Sequence, residues 1–181
     1  MSDSPQRLLS IAVLTRCLLH ASMPFAYAYV TAGELWHIGC MIALLYEKLN
    51  LVDEALEWAE RVATLEDPAK GGNLALVARM RGLRLQGRCL AAKGQKAEAE
   101  AALTSAAEQL ASIEYYLAEV LALRDLYVCV LKATDREGEG LARLKAAIVR
   151  LVGADAAPEQ LDVLATSLGD KVDVAAVLQH E

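Results

Sequence analysis

Apolar residues recur along this chain in alternating steps of four and three, which is the period of one face of an α-helix. Prolines, glycines and polar clusters divide the pattern into successive segments. We therefore predict a series of helices with short connections. The first helix is predicted over 5–22, and the second begins after Pro24 or nearer Thr31 and ends at about 49. Four more follow at 52–66, 74–93, 96–112 and 114–133. After a turn at 134–140, the last three end at about 152 or cover 158–168 and 172–179.

The connections have recognisable stop and start signals. The pair Asp67-Pro68 ends the third helix, because proline cannot continue a helix and restricts the residue before it. The stretch "AKGGN" (69–73) is predicted as a loop with Asn73 as the N-cap of the next helix, and Gly94 ends that helix. Without a long charged or low-complexity linker, residues 1–181 are predicted to form one domain.

Three segments of the chain align with one another at shifts of 44 and then 41 residues. The turn residues Asn50, Gly94 and Asp135 fall at matching positions in this alignment. Four more positions match with the same shifts: Ala43, Gly87 and Val128; Tyr46, Leu90 and Leu131; Ala55, Ala99 and Gly140; Val62, Ala106 and Ala147.

Small residues at the aligned positions indicate close helix crossings. Two antiparallel helices joined by a tight turn approach closely only where both present small side chains. Ala43 with Ala55, and Gly87 with Ala99, are predicted to be such pairs. A mid-helix glycine costs about 1 kcal/mol relative to alanine, so Gly87 indicates a packing requirement. Stacked pairs are then needed to bury the remaining apolar face.

The pattern resembles the tetratricopeptide repeat family. "IALLYEKLNLVDEALEWAERVATLEDP" (42–68) and "QGRCLAAKGQKAEAEAALTSAAEQL" (86–110) are similar to its consensus, and 127–151 is a weaker third match. The spacing between units exceeds the family's period, as in its long-helix variants. The resemblance implies an all-α, right-handed helical-repeat solenoid of about three helix pairs. Its units would be 31–68, 74–112 and 114–152, with an extra N-terminal helix and a short cap at 157–180.

The resemblance also implies a binding groove lined by the first helix of each pair. Cys40 and Leu44 take the places where some relatives hold a peptide carboxylate with Lys and Asn, so that specificity is not expected here. The groove residues implied are His37, Cys40, Leu44 and Lys48 in the first unit, Arg81, Arg84, Arg88 and Ala92 in the second, and Ala122, Asp125, Cys129 and Lys132 in the third.

A basic stretch stands out independently of any resemblance. Residues 69–97 contain seven basic residues and no acidic residue, in a chain of net charge −6. Arg81, Arg84 and Arg88 share one helix face because they are three and four residues apart. This stripe is a candidate site for a carboxylate, an acidic peptide or a phosphate. The alternative is an exposed charged face that pairs with acids of a neighbouring helix.

The remaining candidate chemistry is sparse. Cys17, Cys40, Cys89 and Cys129 show no C-x-x-C spacing and are interpreted as reduced core cysteines of an intracellular protein. His37 and Cys40 lie one turn apart, but two ligands do not make a metal site. We find no phosphate loop, G-x-S-x-G or H-E-x-x-H motif, and so expect neither catalysis nor a cofactor.

These observations favour a non-catalytic protein–protein interaction scaffold, either a subunit or an adaptor of a larger assembly, with a homo-oligomer possible. A regulatory module that binds a peptide or small anion is the alternative, and RNA binding is remote at a sequence pI of about 5.2. The apolar stretch 8–30 is interrupted by Arg16, His20 and Pro24, so we expect no membrane span. The location predicted is cytoplasmic, or organellar if the N-terminus is a cleaved presequence.

Overall fold

The computed structural model of the protein describes residues 32–64, 68–153 and 157–170. Within these ranges the backbone forms helices joined by short turns, without a β-strand, which confirms the all-α prediction. The predicted helices over 5–22 and 172–179 lie outside the described residues. The α-helices are α1 (Ala32–Lys48), α2 (Val52–Ala63), α3 (Pro68–Ala92), α4 (Lys96–Ser112), α5 (Tyr116–Leu126), α6 (Glu137–Val152) and α7 (Pro158–Asp170).

Helix α3 begins six residues earlier than predicted. The predicted loop 69–73 is helical, and Asn73 lies inside α3 rather than at its N-cap. Proline is tolerated as the first residue of a helix, because its missing N–H would have had no intrahelical acceptor there. Pro68 therefore opens α3, and helix α2 ends at Ala63, short of the predicted residue 66.

The predicted helix over 114–133 is α-helical only as far as Leu126. A π-helical turn (Tyr127–Leu131) and a short 3₁₀ turn (Lys132–Thr134) complete it. Helix α6 then begins at Glu137, inside the stretch predicted as a turn. The change of helix type coincides with Tyr127, a buried aromatic residue that contacts two later helices. Periodicity alone does not reveal such a widened turn, because it leaves the apolar spacing nearly unchanged.

Four helix ends close with the same backbone motif. A residue just past the helix has a positive φ, and the N–H of the residue after it donates to a carbonyl five residues back, as in a Schellman C-cap. The hydrogen bonds run from Leu51 to Tyr46, Gln95 to Leu90, Tyr115 to Leu110 and Arg136 to Leu131, at 2.9–3.0 Å. The positive-φ residues are Asn50 (60°), Gly94 (80°), Glu114 (59°) and Asp135 (57°).

This motif confirms the turn positions of the sequence alignment. Asn50, Gly94 and Asp135, aligned at shifts of 44 and 41, adopt the same left-handed conformation. Glu114 adds a fourth turn that the alignment did not include. Further aligned positions, Ala55, Ala99 and Gly140, are buried just after their turns. The match is weakest at Val128, which is only half-buried where Ala43 and Gly87 are buried.

The contacts divide the predicted single domain into two compact units, Met1–Ala106 and Ala107–Glu181, with the boundary inside α4. In the first unit, Val62 of α2 lies between two glycines. A Cβ on Gly39 of α1 would lie 2.6 Å from one Val62 methyl, and a Cβ on Gly82 of α3 would lie 2.9 Å from the other. Both helices can approach α2 at Val62 because neither carries a side chain there.

Helices α1 and α3 run parallel to each other, and α2 runs antiparallel to both. Cys40 lies near Ala78 and Glu47 near Arg88, so the two helices advance in the same direction. Ala63 at the end of α2 contacts Gly82, whereas Asp53 at its start reaches Lys93, beyond the end of α3. Their shared core includes the buried residues Trp36, Cys40, Ala43, Ala59, Val62, Ala78 and Leu85.

In the second unit, Tyr127 packs against two glycines, as Val62 does in the first. Its ring contacts the backbone positions of Gly140 in α6 and Gly169 in α7, where any Cβ would overlap the ring. The Tyr127 hydroxyl donates a 2.7 Å hydrogen bond to a carboxylate oxygen of Glu137. Arg124, buried on α5, donates a 3.1 Å hydrogen bond to the carbonyl of Leu168. These contacts join α5 and the π-helical turn that follows it to α6 and α7.

Candidate interaction surface

Helix α3 is the basic element of the first unit. It spans 25 residues and contains five basic side chains and no acidic one. At about 100° per residue, Arg81, Arg84 and Arg88 fall within an arc of about 60°. That arc lies opposite the side of α3 that carries Gly82 and Gly87, the contact points for α2 and α4. The three arginines therefore occupy the side of α3 turned away from both of those helices.

Helix α1 contributes a second stripe beside these arginines. His37, Met41 and Lys48 are exposed, and Leu44 is partly buried against the core. These residues are spaced by four, three and four, so they share one side of α1. That side adjoins Cys40 and Glu47, the α1 residues that meet α3. We call the combined surface the α1–α3 face: His37, Met41, Leu44 and Lys48 of α1 with Arg81, Arg84 and Arg88 of α3.

One ion pair joins the arginine stripe to α1, beside the second stripe. A guanidinium nitrogen of Arg88 lies 2.8 Å from a carboxylate oxygen of Glu47, and the two side chains are only 12% and 21% exposed. The alternative interpretation of the arginine stripe, pairing with an acid of a neighbouring helix, is thus correct for Arg88. Arg81 and Arg84 are both half-buried on the same face. The Arg88–Glu47 pair shows how a carboxylate is held there.

Two other basic residues of the stretch 69–97 point toward α2 instead. The Arg79 Nε donates a 3.0 Å hydrogen bond to the carbonyl of Ala63, at the C-terminal end of α2. The Lys93 ammonium lies 2.6 Å from a carboxylate oxygen of Asp53, and this hydrogen bond raises the pKa of Lys93. Both cations therefore serve the packing of α2 against α3, and they are not part of the α1–α3 face.

Cys40, which the family resemblance assigned to the groove, is buried in the core. Its Sγ donates a 3.5 Å hydrogen bond to the carbonyl of Ala78. Burial raises the pKa of Cys40 to about 12, although the positive charge of Arg81 acts in the opposite direction. Burial likewise raises the pKa of Cys89 to about 11, assisted by the negative charge of Glu47. Both thiols are protonated at neutral pH, as expected for core cysteines.

His37 and Cys40 do not form the beginning of a metal site. His37 is exposed on α1, whereas Cys40 is buried between α1 and α3. In the part of the chain that the structure describes, no group of three or more His, Cys, Asp or Glu residues is arranged to hold a metal ion.

The groove residues implied for the third repeat belong to the second unit. Asp125 and Ala122 are buried, so neither is presented at the surface, contrary to the expectation. Lys132 is exposed, and its ammonium lies 6.0 Å from the centre of the Tyr127 ring. Cys129 is half-buried within the π-helical turn. Of the third set, Lys132 is therefore the residue that presents a charge to solvent.

Sequence reasoning missed a buried charge in the second unit. Glu119 is 2% exposed and forms an ion pair with Arg150, which reaches it from α6. The N–H of Glu119 bonds to the carbonyl of Tyr115, just as Ala55 bonds to Leu51. Glu119 therefore lies five residues after the turn residue Glu114, at the position that Ala55, Ala99 and Gly140 occupy after the other three turns. The signal in the sequence was a glutamate at a position where the other hairpins have a small, buried residue.

The described residues define an all-α protein built from helical hairpins that share one turn motif. No described helix is both long and apolar enough to span a bilayer. Comparison with family models, with curated proteins and with solved structures gave no match to the chain.

Proposed function

We propose that the protein is a non-catalytic interaction scaffold, a subunit or adaptor of a larger protein assembly. We further propose that its hairpins form a right-handed solenoid of the tetratricopeptide repeat type. One observation carries this proposal. The left-handed turn residues Asn50, Gly94 and Asp135 recur at the 44- and 41-residue shifts found in the sequence. A hairpin that recurs at a regular spacing is the building unit of helical-repeat proteins.

The order of helices in the first unit supports the same proposal. The parallel neighbours α1 and α3 are the first helices of two successive hairpins, and α2 packs behind both of them. Repetition of this arrangement aligns first helices side by side and gives an extended surface. The α1–α3 face lies on that side, so it is the surface we assign to partner contact.

Exposed apolar side chains in the second unit favour assembly with another protein. Val163 is 69% exposed on α7, and Leu164 beside it is also exposed. Leu151 and Val152 are exposed at the end of α6. Single exposed apolar residues are ordinary, whereas several on two consecutive helices favour a surface that binds another protein.

Isolation of the full chain from the cells that express it would test this function. We expect a tagged chain to elute with a stoichiometric protein partner, as measured by light scattering and mass spectrometry. Gly87→Leu, which disrupts the α3–α4 crossing, should lose the partner. Gly138→Ala, at an exposed glycine with open space around it, should keep it. A chain that elutes as a monomer without a stoichiometric partner would contradict the proposal.

A further inference from the structure

We infer that the tip of the α4–α5 hairpin binds a partner segment that carries a basic side chain beside an apolar one. This hairpin tip consists of Glu114, Tyr115 and Leu117, which are exposed in the second unit. The inference rests on the proposed function, because it names the chemistry of a partner of the scaffold. It concerns a different surface from the α1–α3 face.

The end of α4 differs in charge from the other three helix ends that close with the same turn motif. At each of those ends a lysine lies shortly before the left-handed residue: Lys48 and Asn50, Lys93 and Gly94, Lys132 and Asp135. A cation is favourable there, because the C-terminal end of a helix carries partial negative charge. The last turn of α4 contains no basic residue, and its left-handed residue is Glu114.

The carboxylate of Glu114 is exposed and forms neither an ion pair nor a hydrogen bond with the part of the chain that the structure describes. Its backbone has a φ of 59°, which is unfavourable for a residue with a long side chain. The N-terminus of α5 favours an acid at this point, but it leaves the carboxylate itself facing solvent. A strained residue with an unpaired charge fits a contact with another molecule.

A carboxylate followed directly by an aromatic ring is already occupied by an arginine elsewhere in this chain. On α2, Glu57 forms an ion pair with Arg61, and the guanidinium carbon of Arg61 lies 4.9 Å from the centre of the Trp58 ring. Glu114 and Tyr115 present the same two groups at the hairpin tip. A guanidinium can pair with a carboxylate while its face lies over an aromatic ring.

Apolar surface surrounds this charge. Four side chains at this end of the second unit are 40–54% exposed: Tyr115, Leu117, Leu151 and Val152. The ion pair of Glu119 with Arg150 places the first turn of α5 beside the last turn of α6, and it neutralises the Arg150 charge. Tyrosine is enriched in protein interfaces, and a net charge of −6 attracts basic partners.

A labelled short peptide of alternating arginine and leucine tests the inference, together with a citrulline–leucine peptide that lacks the charge. Fluorescence anisotropy on the full chain should show binding of the basic peptide that weakens as salt is added. Glu114→Gln should weaken this binding at least about threefold, because an ion pair is lost. Glu98→Gln, which removes an exposed charge at the other end of α4, should leave it within about 1.5-fold.

Glu114→Gly separates binding from folding. It removes the carboxylate and also relieves the left-handed backbone, so it should weaken peptide binding as much as Glu114→Gln does without lowering the melting temperature. Leu117→Ser should weaken binding of the arginine–leucine peptide but not of an arginine–serine peptide.

Equal losses with Glu114→Gln and Glu98→Gln would overturn the inference, because the peptide would then respond only to the net charge of the chain. Equal binding of the citrulline–leucine peptide would also overturn it, as would self-association of the chain that Glu114→Lys abolishes. A stoichiometric partner whose affinity is unchanged by Glu114→Lys would overturn this inference alone. A chain without any such partner would instead contradict the proposed function.

Discussion

Gly87 of α3 and Leu103 of α4 occupy one crossing so closely that no side chain fits between them. A Cβ on Gly87 would lie 2.5 Å from the Leu103 Cγ and 3.2 Å from the carbonyl oxygen of Ala99. Leu103 and Ala99 are both fully buried. The predicted close crossing of Gly87 with Ala99 is therefore confirmed, and Leu103 is the residue that fills the space a side chain would need.

Gly87→Ala should lower the free energy of unfolding, and Gly87→Leu should lower it further. Overpacking of this kind costs about 1–3 kcal/mol, against roughly 1 kcal/mol that alanine gains in helix propensity, and the 2.5 Å approach to Leu103 puts Gly87 toward the upper part of that range. Gly138→Ala is the matched control, because Gly138 of α6 has open space around it. It lies in the first turn of α6, so it should keep part of the propensity gain and should not destabilise the protein. Urea unfolding measures all three variants, and a stabilised Gly87→Ala would refute the crossing.

The ring of Tyr127 and the backbone of Gly169 are predicted to be energetically coupled. Gly169→Ala places a methyl group against the ring and should destabilise the protein by about 1–3 kcal/mol. Tyr127→Leu removes both the ring and the hydroxyl that bonds Glu137. In the Tyr127→Leu background, Gly169→Ala should cost less than it does in the wild type. A double-mutant cycle measures this difference, and strictly additive effects would count against the contact.

Substitutions at two of the turn residues, Glu114 and Gly94, should change stability in opposite directions. Glu114 adopts a φ of 59° and is exposed, and a left-handed conformation costs a residue with a long side chain about 1 kcal/mol. Glu114→Gly is therefore expected to stabilise the protein by up to about 1 kcal/mol. Gly94→Ala, at a φ of 80°, should destabilise it by a similar amount. Thermal melts of the two variants test the assignment, and shifts of the same sign would contradict it.

The turns and crossings were predictable because each depends on a few neighbouring residues. Gly94 and Asn50 favour a left-handed C-cap in any helix, and the step from the turn to Ala55 or Ala99 is short and local. Glu114 was missed because glutamate gives no such local signal. Its left-handed conformation belongs to the turn between α4 and α5.

The parts that sequence reasoning missed depend on distant contacts. Cys40 and Leu44 are neighbours on the helix surface, yet the first is buried by α3 and the second only partly. Periodicity predicted the stripe of arginines. It did not predict that Glu47 of α1 lies beside Arg88 and pairs with it, because that contact joins two helices. Asp125 was assigned to a surface from the repeat position alone, whereas it is buried in the second unit.

The buried thiols predict a loss of stability at alkaline pH. Burial raises the pKa of Cys40 from 9.0 to about 12, so between these values the folded thiol keeps its proton while the unfolded one loses it. The unfolded state then binds fewer protons, and stability falls as pH rises. The slope contributed by Cys40 approaches about 1.4 kcal/mol per pH unit above pH 9. The contribution of Cys40 to the free energy of unfolding is fully present below pH 9 and is lost progressively up to about pH 12.

Cys40→Ala should therefore make stability less dependent on pH in the alkaline range. Lysines and tyrosines titrate there as well, so the informative quantity is the difference in slope between variant and wild type. Denaturant unfolding at pH 8, 9, 10 and 11 gives both slopes, and the variant's should be shallower by up to about 1.4 kcal/mol per unit. Cys129→Ala is the control, because this thiol is only half-buried. If the free energy of unfolding changed with pH equally in Cys40→Ala and in the wild type, the thiol would have the same pKa in the folded and unfolded states. That result would contradict the burial of Cys40 beneath α3.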